Sequence, residues 1–236
     1  MPVTPSLLCR SVIALQSALI AFNNPLRGDM VAALGETTGL SAIHQMRRKM
    51  RLDTAGRKIL RIKPIINSST IDYSALAALP KNTFGYHYQK FMQDHNITSD
   101  SRSDVKYIGD PELAYVMLRY RQIHDFWHTL VDLPIATEAE IALKYFEFFQ
   151  TGLPMNALSA LVGPLRLSPS ERERLMNVYI PWAIQCGQSS KFLMNVMYED
   201  LFEMDIEKVR NDLGIIPAPI LIEEKELEDP ELSNTI

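Results

Sequence analysis

The sequence predicts an all-α protein, built as a single-domain helical bundle, and three observations support this fold class. Apolar residues recur at helical spacing in several segments, and most of these segments begin at residues that commonly cap helices. Alternation of apolar and polar residues never persists, and no Asn-Gly or Asp-Gly hairpin turn occurs. The 236 residues, 47% of them hydrophobic, are enough to bury one substantial core.

The first predicted helix, in TPSLLCRSVIALQSALIAF, is apolar along most of its length. It opens with Thr4 as cap and Pro5 in the first turn, and Pro25 and Gly28 follow its end. We expect this helix to be buried; a helix lying on a membrane surface and the remnant of a targeting segment are the alternatives. The uncharged run of residues 11–26 is too short to span a bilayer, which requires about 20 apolar residues.

The next predicted helix, GLSAIHQMRRKMRLD, is amphipathic. Its apolar face comprises Leu40, Ile43, Met46 and Met50. Between Arg47 and Lys63 there are eight bases and one acid, Asp53. Solvated helix faces explain this run, and attraction to anionic lipid headgroups or to an acidic partner is the alternative. The formal net charge of -4 gives no general case for a nucleic-acid partner, and we expect none.

Three later helices carry clear boundary signals. DPELAYVMLRYRQIHDFWHTLVDLP begins with Asp110 as cap, followed by a proline, and ends before Pro134. SPSERERLMNVYIPWAIQCG begins with a capping box of Ser168 and Glu171. IEKVRNDLG ends on Gly214.

We divide the chain into an N-terminal apolar helix that could contact a membrane (1–23), a helical domain (24–219) and an acidic tail (220–236) that we expect to be mobile. The two cysteines, Cys9 and Cys186, are too few and too far apart for a disulfide framework. They indicate a reducing compartment.

The stretch HDFWHTLVDLPIATEAE has the composition of a metal site. On a helix, His124 and His128 lie one turn apart on the same face, and Asp125 falls on its flank. A chain reversal at LPIAT would bring back an antiparallel helix, with Glu140 in its first turn as a fourth ligand. Imidazole nitrogens and carboxylate oxygens suit zinc, ferrous iron, cobalt or manganese.

The same letters have purely structural explanations. Either histidine could be a satisfied polar residue of a helix face, and Asp125 could pair with Arg121 one turn earlier. Thr137 and Glu140 match a capping box, in which Glu140 would bond to the amide of Thr137 rather than to a metal.

The stretch also resembles a known family. HDFWH, eleven residues and then Glu140 resemble the H-D-x-x-H-x(11)-E signature of the fourth coenzyme Q (ubiquinone) biosynthesis protein family. Four further segments look like that family in order and spacing: NPLRGDMVAALGETTG, ELAYVMLRYRQIHD, ALKYFEFFQTGLPMNALSALVGPLRL and IPWAIQCG. The resemblance covers roughly residues 20–219. It departs from the mitochondrial members at the N-terminus, where no clear transit peptide precedes the match.

The resemblance implies a divalent metal, zinc in the first place, with iron, cobalt or manganese as alternatives, held by His124, Asp125, His128 and Glu140. It implies removal of the ring carboxylate from a polyprenylated 4-hydroxybenzoate, in some members coupled to hydroxylation at the same carbon. It also implies peripheral attachment to the matrix side of the mitochondrial inner membrane and assembly with other coenzyme Q biosynthesis proteins. We further expect a homo-oligomer, and Asp125 or a metal-bound water as proton donor.

Two other functions fit the sequence. A non-catalytic scaffold would bind lipid and metal and would help to assemble the coenzyme Q biosynthesis proteins, without converting a substrate. A phosphohydrolase would use His124 and Asp125 as a His-Asp dyad with His87 or His95 as a more distant ligand, and would leave Glu140 idle.

Overall fold

The computed structural model describes residues 4–24, 27–101 and 104–219, and these residues are helical with no β-strand. The predicted all-α class is confirmed. The acidic tail lies outside the described residues. In chain order the α-helices are α1 Leu7–Asn23, α2 Gly28–Thr38, α3 Leu40–Leu52, α4 Thr54–Ile62, α5 Tyr73–Ala77, α6 Phe84–Asp94, α7 Pro111–Val131, α8 Thr137–Thr151, α9 Pro154–Val162, α10 Pro169–Arg174, α11 Ile180–Ser189 and α12 Ile206–Leu213.

Helix α7 lies at the centre of the fold, where it packs against α3, α4 and α6. It begins where predicted, because the Asp110 carboxylate accepts from the amides of Glu112 and Leu113. Seventeen of its 21 residues are buried. It ends at Asp132, whose φ of 58° is left-handed, and the amides of Asp132 and Leu133 both donate to the carbonyl oxygen of His128.

Two aromatic side chains between the paired histidines anchor α7 in the core. Phe126 and Trp127 are both fully buried. The Phe126 ring lies 4.4 Å from that of Tyr88, and the indole N–H of Trp127 donates to the hydroxyl of Tyr198 at 2.9 Å. Burial of one such side chain contributes about 1.5–3 kcal/mol, so this part of α7 is held firmly in place.

Helix α8 follows after the short linker 132–136 and packs against α9 and α11. Its N-cap is Ala136, which makes no side-chain cap bond, and it ends at Gly152 with a φ of 68°. Phe146 of α8 meets the ring of Trp127 edge-on at 5.9 Å.

Helix α1 contradicts the prediction of a buried first helix. It begins at Leu7 rather than beside Thr4, because the Ser6 hydroxyl accepts from the amide of Cys9 and so caps it. Only Ser17 of its 17 residues is buried. One side packs on α2, and the other presents exposed apolar side chains: Leu7, Leu8, Val12, Leu15, Leu19 and Phe22.

Other local predictions are confirmed. Ile43, Met46 and Met50 of α3 are buried, the Ser168–Glu171 capping box is complete, and Gly214 ends α12 in the left-handed region. None of the described helices is long and apolar enough to cross a membrane.

Candidate metal centre

Three of the predicted ligands converge on one point between α7 and α8. A nitrogen of His124, a nitrogen of His128 and a carboxylate oxygen of Glu140 all lie within 4.8 Å of one another. The two Nε2 atoms are 3.2 Å apart. Glu140 Oε1 lies 3.1 Å from His128 Nε2, and its Oε2 lies 3.8 Å from His124 Nε2.

The order of side-chain contacts shows that α7 and α8 run antiparallel, as predicted. Along α7, Tyr120, His124 and His128 follow one another at four-residue intervals on one face. Tyr120 contacts Glu147, His124 contacts both Glu147 and Glu140, and His128 contacts Glu140. Residue numbers therefore increase along α7 in the direction in which they decrease along α8.

His128 is held by the turn that ends α7. Its Nδ1 lies 3.0 Å from the carbonyl oxygen of Leu133. Because a carbonyl oxygen only accepts, Nδ1 carries the hydrogen. The neutral ring then keeps its lone pair on Nε2, which faces His124 and Glu140.

His124 is held in the same manner by a side chain. Its Nδ1 lies 2.6 Å from Oε1 of Glu147, a fully buried carboxylate on α8. Lys144 Nζ lies 2.6 Å and the Tyr120 hydroxyl 2.8 Å from the other oxygen, Oε2. Glu147 therefore accepts the Nδ1–H of His124, which leaves the lone pair of that ring on Nε2.

The charges of the cluster suit a cation. Burial and the nearby ammonium of Lys144 lower the pKa of His124, so its ring is neutral near neutral pH. Burial opposes ionisation of Glu147, but Lys144 and His124 outweigh it and hold the pKa of Glu147 at about 2. Burial likewise opposes ionisation of Glu140, and its pKa is lowered when a proton on an imidazole faces it, as a hydrogen bond from His128 or a charge on His124.

The arrangement fits a divalent metal on the chemistry of its donors. Two imidazole lone pairs and a carboxylate face one another, a grouping that repels itself unless a cation or a proton lies between them. Zinc–nitrogen bonds of about 2.0–2.1 Å in a tetrahedral site place two imidazole nitrogens about 3.3 Å apart, close to the 3.2 Å found here. Glu140 is 32% exposed, so the site opens toward solvent on that side.

Asp125 does not belong to the cluster formed by His124, His128 and Glu140. It is buried on α7, next to His124 in the chain, on the flank of the face that His124 and His128 share. Its suggested partner Arg121 forms an ion pair with Glu36, at 3.2 Å.

The capping box predicted at Thr137 is wrong. Ala136 is the N-cap residue, Thr137 lies inside the first turn, and the Glu140 carboxylate contacts the two imidazoles. The more distant ligands that a phosphohydrolase would need, His87 or His95, do not join this cluster either. His95 accepts from the amide of Ile135 at 3.4 Å, and neither His95 nor His87 belongs to the cluster that contains Glu140.

Sequence reasoning missed Glu147 and Lys144. A usable signal was present, because Glu140, Lys144 and Glu147 recur at intervals of four and three and therefore share one face of α8. That face is opposite the Tyr120, His124 and His128 face of α7. The periodicities of α7 and α8, considered together, therefore indicate all the residues of the cluster, including Lys144 and Glu147.

Comparisons with known proteins agree with these observations. A profile of the family described as Coenzyme Q (ubiquinone) biosynthesis protein Coq4 matches residues 2–219. The mitochondrial ubiquinone biosynthesis protein COQ4 of Laccaria bicolor is 47% identical over 209 residues, 89% of this chain and 70% of that protein. The mitochondrial COQ4 homolog of Nematostella vectensis is 49% identical over 202 residues, 84% of this chain and 97% of that protein.

A solved structure has a similar fold. It is the crystal structure of a candidate ubiquinone biosynthesis protein from Nostoc punctiforme, with a TM-score of 0.69 and 17% sequence identity. The match covers 86% of this chain and 97% of that chain. At this identity the likeness supports the helical fold alone.

Proposed function

Since this chain belongs to the Coq4 family of coenzyme Q (ubiquinone) biosynthesis proteins, and so has a role in that pathway, we propose that it is a metal-dependent decarboxylase of a polyprenylated 4-hydroxybenzoate. One observation carries this proposal. Two histidine lone pairs and the Glu140 carboxylate converge on a point that remains open on one side. Catalytic metal sites use three protein ligands and keep an open position for substrate or water.

We assign His124, His128 and Glu140 as ligands, and Asp125 as the fourth ligand or as a proton donor. Zinc is our first choice of metal, and iron, cobalt or manganese would suit the same donors. When bound, the ion would supply a Lewis acid that holds the substrate carboxylate or phenolate and stabilises negative charge.

The residues of the chain orient the substrate and handle the proton. A proton delivered to the ring carbon that bears the carboxylate gives a dienone. The bond to the carboxylate then breaks, its electron pair returns to the ring, and carbon dioxide leaves as aromaticity is restored. We assign the delivery of that proton to Asp125, which is buried beside His124.

Hydroxylation at the same carbon would need an oxidant in addition. Dioxygen is the reagent of that class, and zinc has no redox chemistry, so the electrons would come from a redox-active metal or from the electron-rich ring. Comparison of turnover with and without oxygen separates simple from oxidative decarboxylation.

We also propose that the protein binds a membrane surface without spanning it, on the matrix side of the mitochondrial inner membrane. The outer side of α1 supports this, because its apolar residues are exposed and none of its outward side chains is charged. Seven bases of the run described above are also exposed: Arg48, Lys49, Arg51, Arg57, Lys58, Arg61 and Lys63. Of these, Arg51 and Lys58 form ion pairs with Glu112 and Asp200. Such a surface would give the protein access to a lipid substrate and to other coenzyme Q biosynthesis proteins.

The same exposed surface also favours a second function, a lipid- and metal-binding scaffold without turnover. The two are separated by incubating purified protein with a polyprenyl-4-hydroxybenzoate labelled in its carboxylate. Release of labelled carbon dioxide that requires metal and is lost in Glu140→Ala supports the enzyme. No release with zinc, iron, cobalt or manganese, in air or without it, contradicts the enzyme and supports the scaffold.

A further inference from the structure

Glu147 is a fully buried carboxylate that belongs to none of the predicted ligand positions. Burial of a charge is costly unless it is paired and hydrogen-bonded. Its neighbours meet that condition with three donors, which are His124 Nδ1, Lys144 Nζ and the Tyr120 hydroxyl.

The two oxygens of Glu147 divide these neighbours between them. Oε2 is near Lys144 and Tyr120, whereas Oε1 contacts His124 at 2.6 Å. The first oxygen therefore fixes the carboxylate, and the second is left to act on the histidine ring.

We propose that Glu147 is a positioning residue of the metal site, whose carboxylate holds His124 in the tautomer and orientation that turn Nε2 toward His128 and Glu140. This inference rests on the proposed metal site and extends it to a residue that would influence a bound ion only through His124. Histidine ligands commonly donate their second N–H to a carboxylate or a backbone carbonyl, and the loss of such a partner lowers metal affinity about 10–100-fold.

The two histidines differ in how they are held. His128 donates to the carbonyl oxygen of Leu133, a backbone group that no side-chain substitution removes. His124 depends on a side chain, so its tautomer can be altered by one substitution at Glu147.

Glu147→Gln is the sharpest substitution because it keeps the size of the side chain. Lys144 and Tyr120 would attract the single carbonyl oxygen of the new amide, and its NH2 group would then face His124 Nδ1. A donor at that position favours hydrogen on Nε2, which removes the lone pair that would bind the metal.

The matched control is Glu138→Gln. Glu138 is another buried acid of α8, and its charge partner is Arg174 at 2.8 Å, outside the cluster. This control loses a partly buried ion pair between α8 and α10 without changing either histidine.

The experiment titrates zinc into the metal-free full chain by calorimetry. We expect affinity about 10–100-fold lower for Glu147→Gln, with Glu138→Gln within about threefold of the wild type. Equal affinity of Glu147→Gln and wild type would overturn the inference alone, and so would an equal loss in both variants. No zinc binding by the wild type would overturn the inference together with the proposed metal site.

A measurement on the wild type avoids the need for a folded variant. Nitrogen-15 NMR of metal-free protein reports which nitrogen of each histidine carries the hydrogen. We expect hydrogen on Nδ1 of His124. Hydrogen on its Nε2 would overturn the inference whatever the variants do.

Discussion

Helices α7 and α1 depart from the usual pattern of a soluble protein in opposite directions. At the centre of the fold, α7 buries charged and polar side chains, including Arg119, Arg121 and His124. At the edge, α1 leaves Leu15 and Leu19 more than half exposed. Arg119, Arg121 and His124 pair with Glu199, Glu36 and Glu147 within the chain, whereas the exposed apolar face of α1 has no cover from the described residues. The comparison indicates that α7 serves a site inside the protein and α1 serves a surface outside it.

The largest difference should appear in folding stability. Trp127→Ala on α7 removes a fully buried indole, which costs about 3–5 kcal/mol of the free energy of unfolding. Leu15→Ala on α1, where the side chain is 65% exposed, should change it by less than about 0.5 kcal/mol. Urea denaturation measures both. Similar losses of unfolding free energy in the two variants would contradict the distinction between a buried α7 and an exposed α1.

Membrane binding should depend on α1 and not on α7. The double variant Leu15→Glu and Leu19→Glu should lower the fraction bound to vesicles of phosphatidylcholine and cardiolipin at least about tenfold, because each leucine contributes about 1.5–3 kcal/mol when buried. Flotation measures this fraction. Met176→Glu, at a residue 54% exposed outside α1, is the control and should bind normally. Normal flotation of the double variant would show that α1 is not the contact.

Salt separates the contribution of the bases from that of α1. If Arg57, Arg61 and their neighbours attract anionic lipid, flotation should weaken as ionic strength rises, because salt screens exposed charges. Flotation that is insensitive to salt would leave the apolar face of α1 as the whole contact.

The smallest expected effect is on the pH dependence of the metal-free protein. The pKa of His124 is lowered in the fold, so the unfolded chain binds a proton that the folded chain rejects, and stability falls as the pH drops below about 6.5. Glu147 has a lowered pKa, so its contribution is lost as the pH falls further, toward about 2. His124→Asn should flatten the decline between about pH 7 and 5. A wild-type profile that is already flat there would contradict a neutral buried His124.

Local signals predicted much of the fold. The Asp110 cap and the Ser168–Glu171 capping box depend on residues a few positions apart, so the sequence alone identifies them. Thr137 and Glu140 also match a capping box, but the prediction made from that match is wrong. His124 and His128, which are distant in the chain, contact the Glu140 carboxylate instead.

The remaining features depend on partners distant in the chain. The role of Glu147 depends on His124, 23 residues earlier, and on the register of two antiparallel helices. The exposure of α1 depends on which of its faces α2 covers, and apolar composition does not specify that.

The central claim is that the buried cluster of α7 and α8 binds a metal, and the metal content of purified Glu140→Gln tests it most directly. Glutamine keeps the shape of the side chain but is a neutral and weaker ligand, so we expect metal per chain to fall well below that of the wild type, with the metal-free stability nearly unchanged. Thr137→Ala is the control and should keep full metal content, because Thr137 caps nothing. Full metal content in Glu140→Gln, equal to that of the wild type and of Thr137→Ala, would contradict the metal centre described here.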